Sequence, residues 1–262
     1  RCRIIVRGGV GFDGLDLAGF GDRGVAICNV PDYGTTEVAD HAIALVLALR
    51  RGIASYHDGL RADPTGNWHY SRAPVVARLR GSRFGIVGLG RIGMAAARRA
   101  QAFDCQVVFY DPQLPPGADL ATGFERVDSI ETLLSSCDAV SIHTPLNDQT
   151  RGLINHASLE HLKPGAVIVN TSRGPVVDID AVHDALRDGH LAAAGLDVLP
   201  SEPPPDHPLI RAYTADEDWL RGRLILTPHS AFYSAPGQDD LRRKAIETIT
   251  AYLGQGELRN CV

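Results

Sequence analysis

No stretch of this sequence stays apolar long enough to cross a bilayer. A span takes ~20 consecutive apolar residues, and the longest candidate, 42–49, has eight. There is no Lys/Arg tract either. Net charge is −5 and the pI about 6.0, so nothing points to nucleic acid. The arginine pairs at 50–51, 98–99 and 242–243 read as solvated or helix-end charges. The five cysteines, Cys2, Cys28, Cys105, Cys137 and Cys261, form no CxxC and no metal-ligand spacing. Their scatter and odd number read as buried free thiols in a reducing, cytoplasmic setting, with no metal. The 27 glycines and 16 prolines follow no fixed period, which excludes a collagen-like chain. Internal repeats, low-complexity segments and a signal-peptide pattern are also missing. So is an initiator Met: Arg1-Cys2-Arg3-Ile4-Ile5-Val6 already reads as strand, and the natural N-terminus is expected to precede it.

What is present is ordinary for a globular protein. Hydrophobic residues make up 44% and charged residues 22% of 262, enough for one large domain or two modest ones. The run 4–6 ends at Arg7-Gly8-Gly9-Val10-Gly11, a glycine-rich loop where the backbone turns tightly or meets something closely. A second short strand is expected over 25–28, stopped near Pro31. From Val38 to Leu49 the pattern is helical and apolar almost all round, which predicts burial on every side at a domain junction or subunit interface.

From Arg83 onward the pattern becomes regular. Strand-like runs recur at 84–87, 106–110, 139–143, 166–169, 193–198 and 224–226, with helix-like stretches at 92–103, 130–136, 157–162 and 179–188. Continuous rather than alternating apolar runs mean strands covered on both faces, the signature of a parallel sheet flanked by helices. The expectation is a doubly wound α/β domain. The Pro-rich stretch 200–222 reads as loop. A final amphipathic helix is expected from about Leu241 to Leu253, with Leu241, Ile249, Tyr252 and Leu253 facing inward.

Gly88-Leu89-Gly90-Arg91-Ile92-Gly93 is a GxGxxG that follows a buried strand and opens a helix, the context a dinucleotide fingerprint requires. Gly88 allows the tight turn, Gly90 lets backbone approach a pyrophosphate, and Gly93 lets the helix pack close to the strand. The helix N-terminus offers N–H groups and partial positive charge to phosphates. Asp111 ends the next strand, 18 residues after Gly93. A carboxylate there accepts ribose hydroxyls and repels a 2′-phosphate. No Arg or Lys follows in Asp111-Pro112-Gln113-Leu114, so NAD is favoured over NADP.

Three further groups stand at the ends of later strands, where open α/β sheets place ligands. They are Asn170-Thr171-Ser172-Arg173-Gly174, Asp197 with Glu202, and Thr227-Pro228-His229-Ser230. Singly, each has a plain reading: Arg173 as a surface ion-pair partner, Glu202 as a loop acid, His229 as a turn cap. Together on a nucleotide-binding sheet, they read as one catalytic crevice. Pro203 also biases Glu202 toward extended backbone. His143, at another strand end, is expected beside the adenosine. His57, His69, His156, His161 and His190 read as surface residues.

With these motifs in hand, the chain resembles the D-isomer-specific 2-hydroxyacid dehydrogenase family. The resemblance rests on Gly88–Gly93, Tyr110-Asp111-Pro112, His143-Thr144-Pro145-Leu146, Asn170–Gly174, Leu196-Asp197-Val198 with Glu202, Thr227-Pro228-His229, and Gly11-Phe12-Asp13-Gly14-Leu15-Asp16. Within the family it is most similar to the C-terminal binding protein branch, NADH-responsive corepressors and their bacterial relatives. That likeness rests on 7–13, 109–112, Phe232-Tyr233-Ser234 and Leu258-Arg259-Asn260-Cys261-Val262. The resemblance implies a Rossmann nucleotide domain over 31–239 and a smaller, flavodoxin-like substrate domain from 1–30 and 240–262. Members carry a further βα segment before the position of Arg1, so that domain is expected to be N-terminally incomplete. It also implies a homodimer and no direct contact with nucleic acid or membrane.

The same resemblance assigns roles. Cofactor contacts fall to Gly88, Gly90, Arg91, Ile92, Gly93, Asp111, His143, Thr144, Pro145, Asn147, Thr171, Ser172 and Asp197, the last holding the nicotinamide carboxamide. Arg173 binds the substrate carboxylate and polarises the keto oxygen, His229 exchanges the proton, and Glu202 bonds the far nitrogen of His229. Arg7, Gly8, Gly9 and Val10 face the substrate carboxylate, and Phe232 stands beside the substrate where the corepressors carry Trp. The implied reaction is hydride transfer between NADH and a 2-keto acid. Two alternatives stay open: an NADH-sensing dimeric scaffold with weak turnover, and oxidation of a small anion such as phosphite.

Overall fold

The computed structural model describes residues 2–262; Arg1, the first residue of the expected opening strand, lies outside them. The chain divides into two compact units, 1–38 with 232–262, and 39–231.

In the first unit, β1 (Ile4–Val6) is followed by a short helix, α1 (Leu17–Gly21), and β2 (Ala26–Cys28). Asp16 caps α1 by accepting from Gly19 N at 3.0 Å. The two strands pair in parallel, Ile4 against Ala26 and Val6 against Cys28. Ile4, Ile5 and Val6 are only half-buried. The Arg7–Val10 loop is fixed from β2 onward: Arg7 N donates to Cys28 O, Val30 N to Gly9 O, and the Asn29 amide to Val10 O.

Helix α2 (Thr35–Arg50) begins in this unit and continues into the other, and α3 (Ile53–Ala62) follows it. Half of α2 is buried, but Thr36, Asp40 and Ala44 are exposed on one stripe, so it is not covered on every side. The second unit then alternates: β3 (Arg83–Val87), α4 (Arg91–Ala102), β4 (Gln106–Tyr110), α5 (Ala118–Thr122), β5 (Glu125–Arg126), α6 (Ile130–Ser136), β6 (Ala139–Ile142), α7 (His156–Glu160), β7 (Ala166–Asn170), α8 (Ile179–Arg187), β8 (Leu191–Leu196), α9 (Pro208–Thr214) and β9 (Leu224–Leu226). The last helix, α10 (Ala235–Gln255), returns to the first unit and lies against β1.

The seven strands of the second unit form one parallel sheet in the order β5-β4-β3-β6-β7-β8-β9. The order reverses between β3 and β6, the switch point where such sheets bind ligands. Alternate residues serve opposite faces. Phe84, Ile86, Val107 and Phe109 pack with α2 and α4, whereas Val87, Val108, Val140 and Ile142 pack with α6 and α8. Both faces are therefore covered, which explains the unbroken apolar runs, and β7 is buried along its whole length.

Several expectations are corrected. β5 was not foreseen, because Glu125-Arg126 carries no apolar signal; it is an edge strand held by pairing with β4 and by the Arg83–Glu125 ion pair. The stretch 200–222 is not all loop. Pro208 opens α9, His207 caps it by accepting from Leu209 N, and Leu209 and Ala212 are buried three residues apart. Helix α10 starts at Ala235, not Leu241, because Ser234 caps it by accepting from Gly237 N. Leu253 points outward, while Thr248 is buried. Cys2 and Cys261 are exposed rather than buried. His190 is half-buried, its Nε2 3.0 Å from Leu159 O. No described helix is long and apolar enough to cross a membrane.

Candidate active site

The glycine turn joins β3 to α4. Gly88 has φ +88°, and a Cβ there would come within 3.0 Å of Thr144 and 3.1 Å of the His143 backbone. A Cβ on Gly93 would lie 2.0 Å from Gly88 O, so only glycine lets α4 sit this close. Around Gly90 there is open space. Gly90 is also the N-cap of α4 and has no side chain to offer, so the N–H groups of the first turn, at Arg91, Ile92 and Gly93, meet no side-chain cap. Asp111 follows β4 and holds this turn: its Oδ2 accepts from Leu89 N and its Oδ1 from Gln113 N, both at 2.9 Å. Arg126 wraps the same segment, donating to the carbonyls of Asp111, Leu114 and Pro115.

Next to the turn, three buried polar atoms have no partner among the described residues: His143 Nδ1, Thr144 Oγ1 and Thr171 Oγ1. They stand just past β6 and β7. Leaving such atoms unmet costs roughly 1–3 kcal/mol each, so this edge suits a ligand rich in donors and acceptors. His143 and Thr144, beside the glycine turn, with Thr171 further along the same sheet edge, fit a dinucleotide. Burial pushes the His143 imidazole down from 6.5 to about 4, and its Nε2 lies 2.9 Å from Ser141 Oγ. Pro145 and Asn147 are exposed. The Asn147 side chain is already engaged, accepting from the N–H groups of Gln149 and Thr150.

The remaining groups rise from β7, β8 and β9, which lie side by side with Asn170, Leu196 and Leu226 in register. Asn170 is fully buried. Its Oδ1 accepts from Ser172 N and Oγ, and its Nδ2 donates to Arg173 O. That fixes the bend carrying Arg173, whose Nη1 donates to Ser172 O at 2.8 Å. Gly174 runs against the backbone of Leu199 and Pro200, where a Cβ would collide at 2.0 Å. The Arg173 bend thus lies against the loop that carries Glu202. Leu199 N donates to Glu202 Oε1 at 3.0 Å, and His229 Nδ1 meets Glu202 Oε2 at 2.6 Å. With Nδ1 donating, the ring keeps Nε2 for other partners. The His229 and Glu202 side chains are 42% and 37% exposed, so a small solute can reach them.

His229 has φ +51°, a left-handed conformation that costs a residue with a Cβ of order 1–3 kcal/mol. Asp197 imposes it. His229 N donates to Asp197 O, Ser230 N to Oδ1 and Ala231 N to Oδ2, and Thr227 Oγ1 donates to Oδ1 at 2.6 Å. Both oxygens of this buried carboxylate, expected to serve a carboxamide, are clamping the turn that presents His229.

Two residues of this site had no role read from sequence, Thr227 and His41. His41 Nε2 lies 3.0 Å from Thr227 Oγ1 and 3.7 Å from Asp197 Oδ1. Thr227 spends its only proton on Asp197, so His41 must donate from Nε2. Arg7, Gly8, Gly9, Val10 and Phe232 belong to the first unit. There the Arg7 guanidinium donates to Gly8 O at 2.7 Å, and Phe232 meets Tyr33 edge to face with centroids 6.3 Å apart. Among the described residues no group of His, Cys, Asp and Glu is arranged to hold a metal ion.

Residues 43–231 match the family model for the D-isomer specific 2-hydroxyacid dehydrogenase, NAD binding domain. The chain is 37% identical over 249 residues to a D-3-phosphoglycerate dehydrogenase of Mycobacterium leprae, covering 95% of this chain and 44% of that protein. It therefore spans about half the length of the curated relatives it matches. Among solved structures, a glyoxylate reductase from Paecilomyes thermophila superposes with a TM-score of 0.87 at 31% identity, over 99% of this chain and 75% of that one. A Rhodotorula graminis D-mandelate dehydrogenase gives 0.89 at 33% identity, over 99% and 74%. A matched NAD binding domain, a sheet that switches order beside a glycine turn, and relatives above 30% identity lead to one assignment: the chain belongs to the D-isomer specific 2-hydroxyacid dehydrogenase family.

Proposed function

We propose that the protein interconverts a 2-keto acid and a D-2-hydroxy acid with NAD as cofactor. The observation that carries this reading is the Glu202–His229 pair, 2.6 Å apart, which joins the segments past β8 and β9, with Arg173 past the adjoining β7.

The bound nicotinamide supplies the hydride in reduction and takes it in oxidation. Gly88, Gly90 and Gly93 shape the turn that receives the pyrophosphate, with the first N–H groups of α4, at Arg91 and Ile92, as donors. Asp111 accepts from the adenosine ribose. His143, Thr144, Pro145, Asn147, Thr171 and Ser172 line the remainder of the cofactor. Arg173 offers a planar fork to the substrate carboxylate and polarises the keto oxygen, a geometry Lys cannot reproduce. His229 gives its Nε2 proton to the developing alkoxide and recovers it in the reverse direction. Glu202 holds the ring through Nδ1, and Asp197 holds its backbone. Arg7, Gly8, Gly9 and Val10 are proposed to recognise the substrate carboxylate, and Phe232 to border the substrate side chain.

A homodimer is part of the proposal. Ile53, Trp68, Tyr70 and Val76 are all exposed. Val76 and Tyr56 both lie beside Gly52, next to Ile53, and the Tyr56 hydroxyl donates to Tyr70 O, which brings Ile53, Tyr70 and Val76 near one another.

The test follows NADH absorbance across a panel of 2-keto acids while monitoring assembly with and without NADH. Turnover of at least one acid, falling ~10³-fold in His229→Ala, is expected. NADH-linked dimerisation with no turnover on any acid would favour the scaffold alternative, and unchanged turnover in folded His229→Ala would remove the histidine from the mechanism.

A further inference from the structure

Two thiols in the first unit face each other across a β-bridge. Residues 260–262 run antiparallel to β2: Asn29 N donates to Asn260 O, and Val262 N to Ile27 O, both at 3.0 Å. These bonds flank Cys28 and Cys261, which stand directly opposite each other without exchanging a bond. Such non-hydrogen-bonded pairs bring Cα atoms to about 4.5 Å with side chains on the same face. That lies inside the roughly 4.4–6.8 Å range of disulfides. The proximity has an electrostatic trace: burial first, then the Cys261 sulfur beside it, push the Cys28 thiol up.

The two sulfurs differ in access. Cys261 is exposed and Cys28 fully buried. None of the other cysteines has a cysteine opposite it in this way. Cys2 donates to Ile4 O, Cys105 bonds Ser82 and Leu79 O, and Cys137 bonds Ser136.

We propose that Cys28 and Cys261 form an oxidative modification site that closes to an intramolecular disulfide in the presence of a peroxide. The Cys261 thiolate attacks one peroxide oxygen; the S–O bond forms, the O–O bond breaks, and hydroxide leaves to become water. The Cys28 sulfur, giving up its proton, then attacks the sulfenic sulfur of Cys261. The S–S bond forms, the S–O bond breaks, and a second water leaves. Two thiols lose two electrons and two protons, and the peroxide is reduced to two waters. Cys28 O accepts from Arg7 N at 2.8 Å, and its neighbours Asn29 and Val30 hold Val10 and Gly9. The cross-link therefore ties the 260–262 segment to the strand that frames the Arg7–Val10 loop. This assignment is independent of the dehydrogenase reading.

The experiment treats the folded full chain with a small excess of hydrogen peroxide, quenches it, unfolds the protein in denaturant to block and count the remaining thiols, and maps the peptides. The thiol titre is expected to fall by two from five, with 28 and 261 recovered as one linked pair and both thiols restored by dithiothreitol. In Cys261→Ser, whose side chain is exposed, Cys28 stays alkylatable in denaturant after the same treatment. The proposal is overturned if Cys261 advances to the sulfinic acid while Cys28 remains alkylatable. It is also overturned if Cys261 links only to another chain.

Discussion

At the scale of single residues, the catalytic reading turns on which groups are replaceable. Glu202 bonds His229 Nδ1 and also accepts from Leu199 N. Glu202→Gln keeps the size but offers the ring a neutral amide. We expect kcat to fall ~10²-fold or more with KM for the keto acid little changed, as read by steady-state kinetics. His41 acts at one remove. In His41→Phe, Thr227 Oγ1 loses its donor, and a lost hydrogen bond of about 1 kcal/mol predicts a roughly fivefold fall in kcat/KM. His41→Gln, which retains an N–H, should recover most of it. The sequence showed Arg173 and His229 because each follows an apolar run, and Glu202 because it lies five residues past Asp197. It could not show His41, whose partner Thr227 is 186 positions away. Nor could it show that Asp197 clamps the His229 turn, since that depends on where the N–H groups of Ser230 and Ala231 point.

At the scale of elements, the β3–turn–α4 unit separates two uses of glycine. Gly93 has a neighbouring carbonyl where its Cβ would go, whereas Gly90 faces open space. Gly93→Ala must push α4 away from β3, and overpacking of this kind costs about 1–3 kcal/mol. Urea unfolding should show that loss together with weakened NAD binding. Gly90→Ala should unfold within about 0.5 kcal/mol of the parent, yet bind NAD at least tenfold more weakly in titration calorimetry. Six of the seven sheet strands were legible as apolar runs, because burial on both faces leaves an unbroken hydrophobic imprint. β5 left none: a two-residue edge strand made of Glu125 and Arg126 is defined by its backbone partners. Helix α9 was hidden by the prolines around it, although Pro208 at its first position and the spacing of Leu209 and Ala212 were available as signals.

At the scale of the whole molecule, one buried histidine sets a pH dependence. His143 titrates near 4 in the folded chain because of burial, against 6.5 when exposed. As pH falls through 6.5 the unfolded chain takes up this proton first, and the native state resists until about 4. The stabilising contribution is complete above pH 6.5 and drains away between 6.5 and 4. That gap corresponds to roughly 3 kcal/mol. Urea titrations at several pH values should show it, and His143→Gln, which cannot titrate, should lose that part of the slope. The α/β class and the parallel sheet followed from sequence, since apolar periodicity is a property of the whole chain. In the first unit the two short strands were legible as apolar runs, but α1 between them was not, because its five residues bury no face.

Asp111 has a consequence for anyone who would redesign coenzyme preference. Admitting a phosphorylated ribose calls for removing that carboxylate, yet the same two oxygens brace the Leu89 and Gln113 amides. Arg126, which bonds that loop, is already committed to three carbonyls. A lone substitution at position 111 would therefore slacken the phosphate cradle while recruiting no new positive charge. Swapping NAD for its phosphorylated counterpart requires at least a paired change, one to restore the brace and one to import a guanidinium.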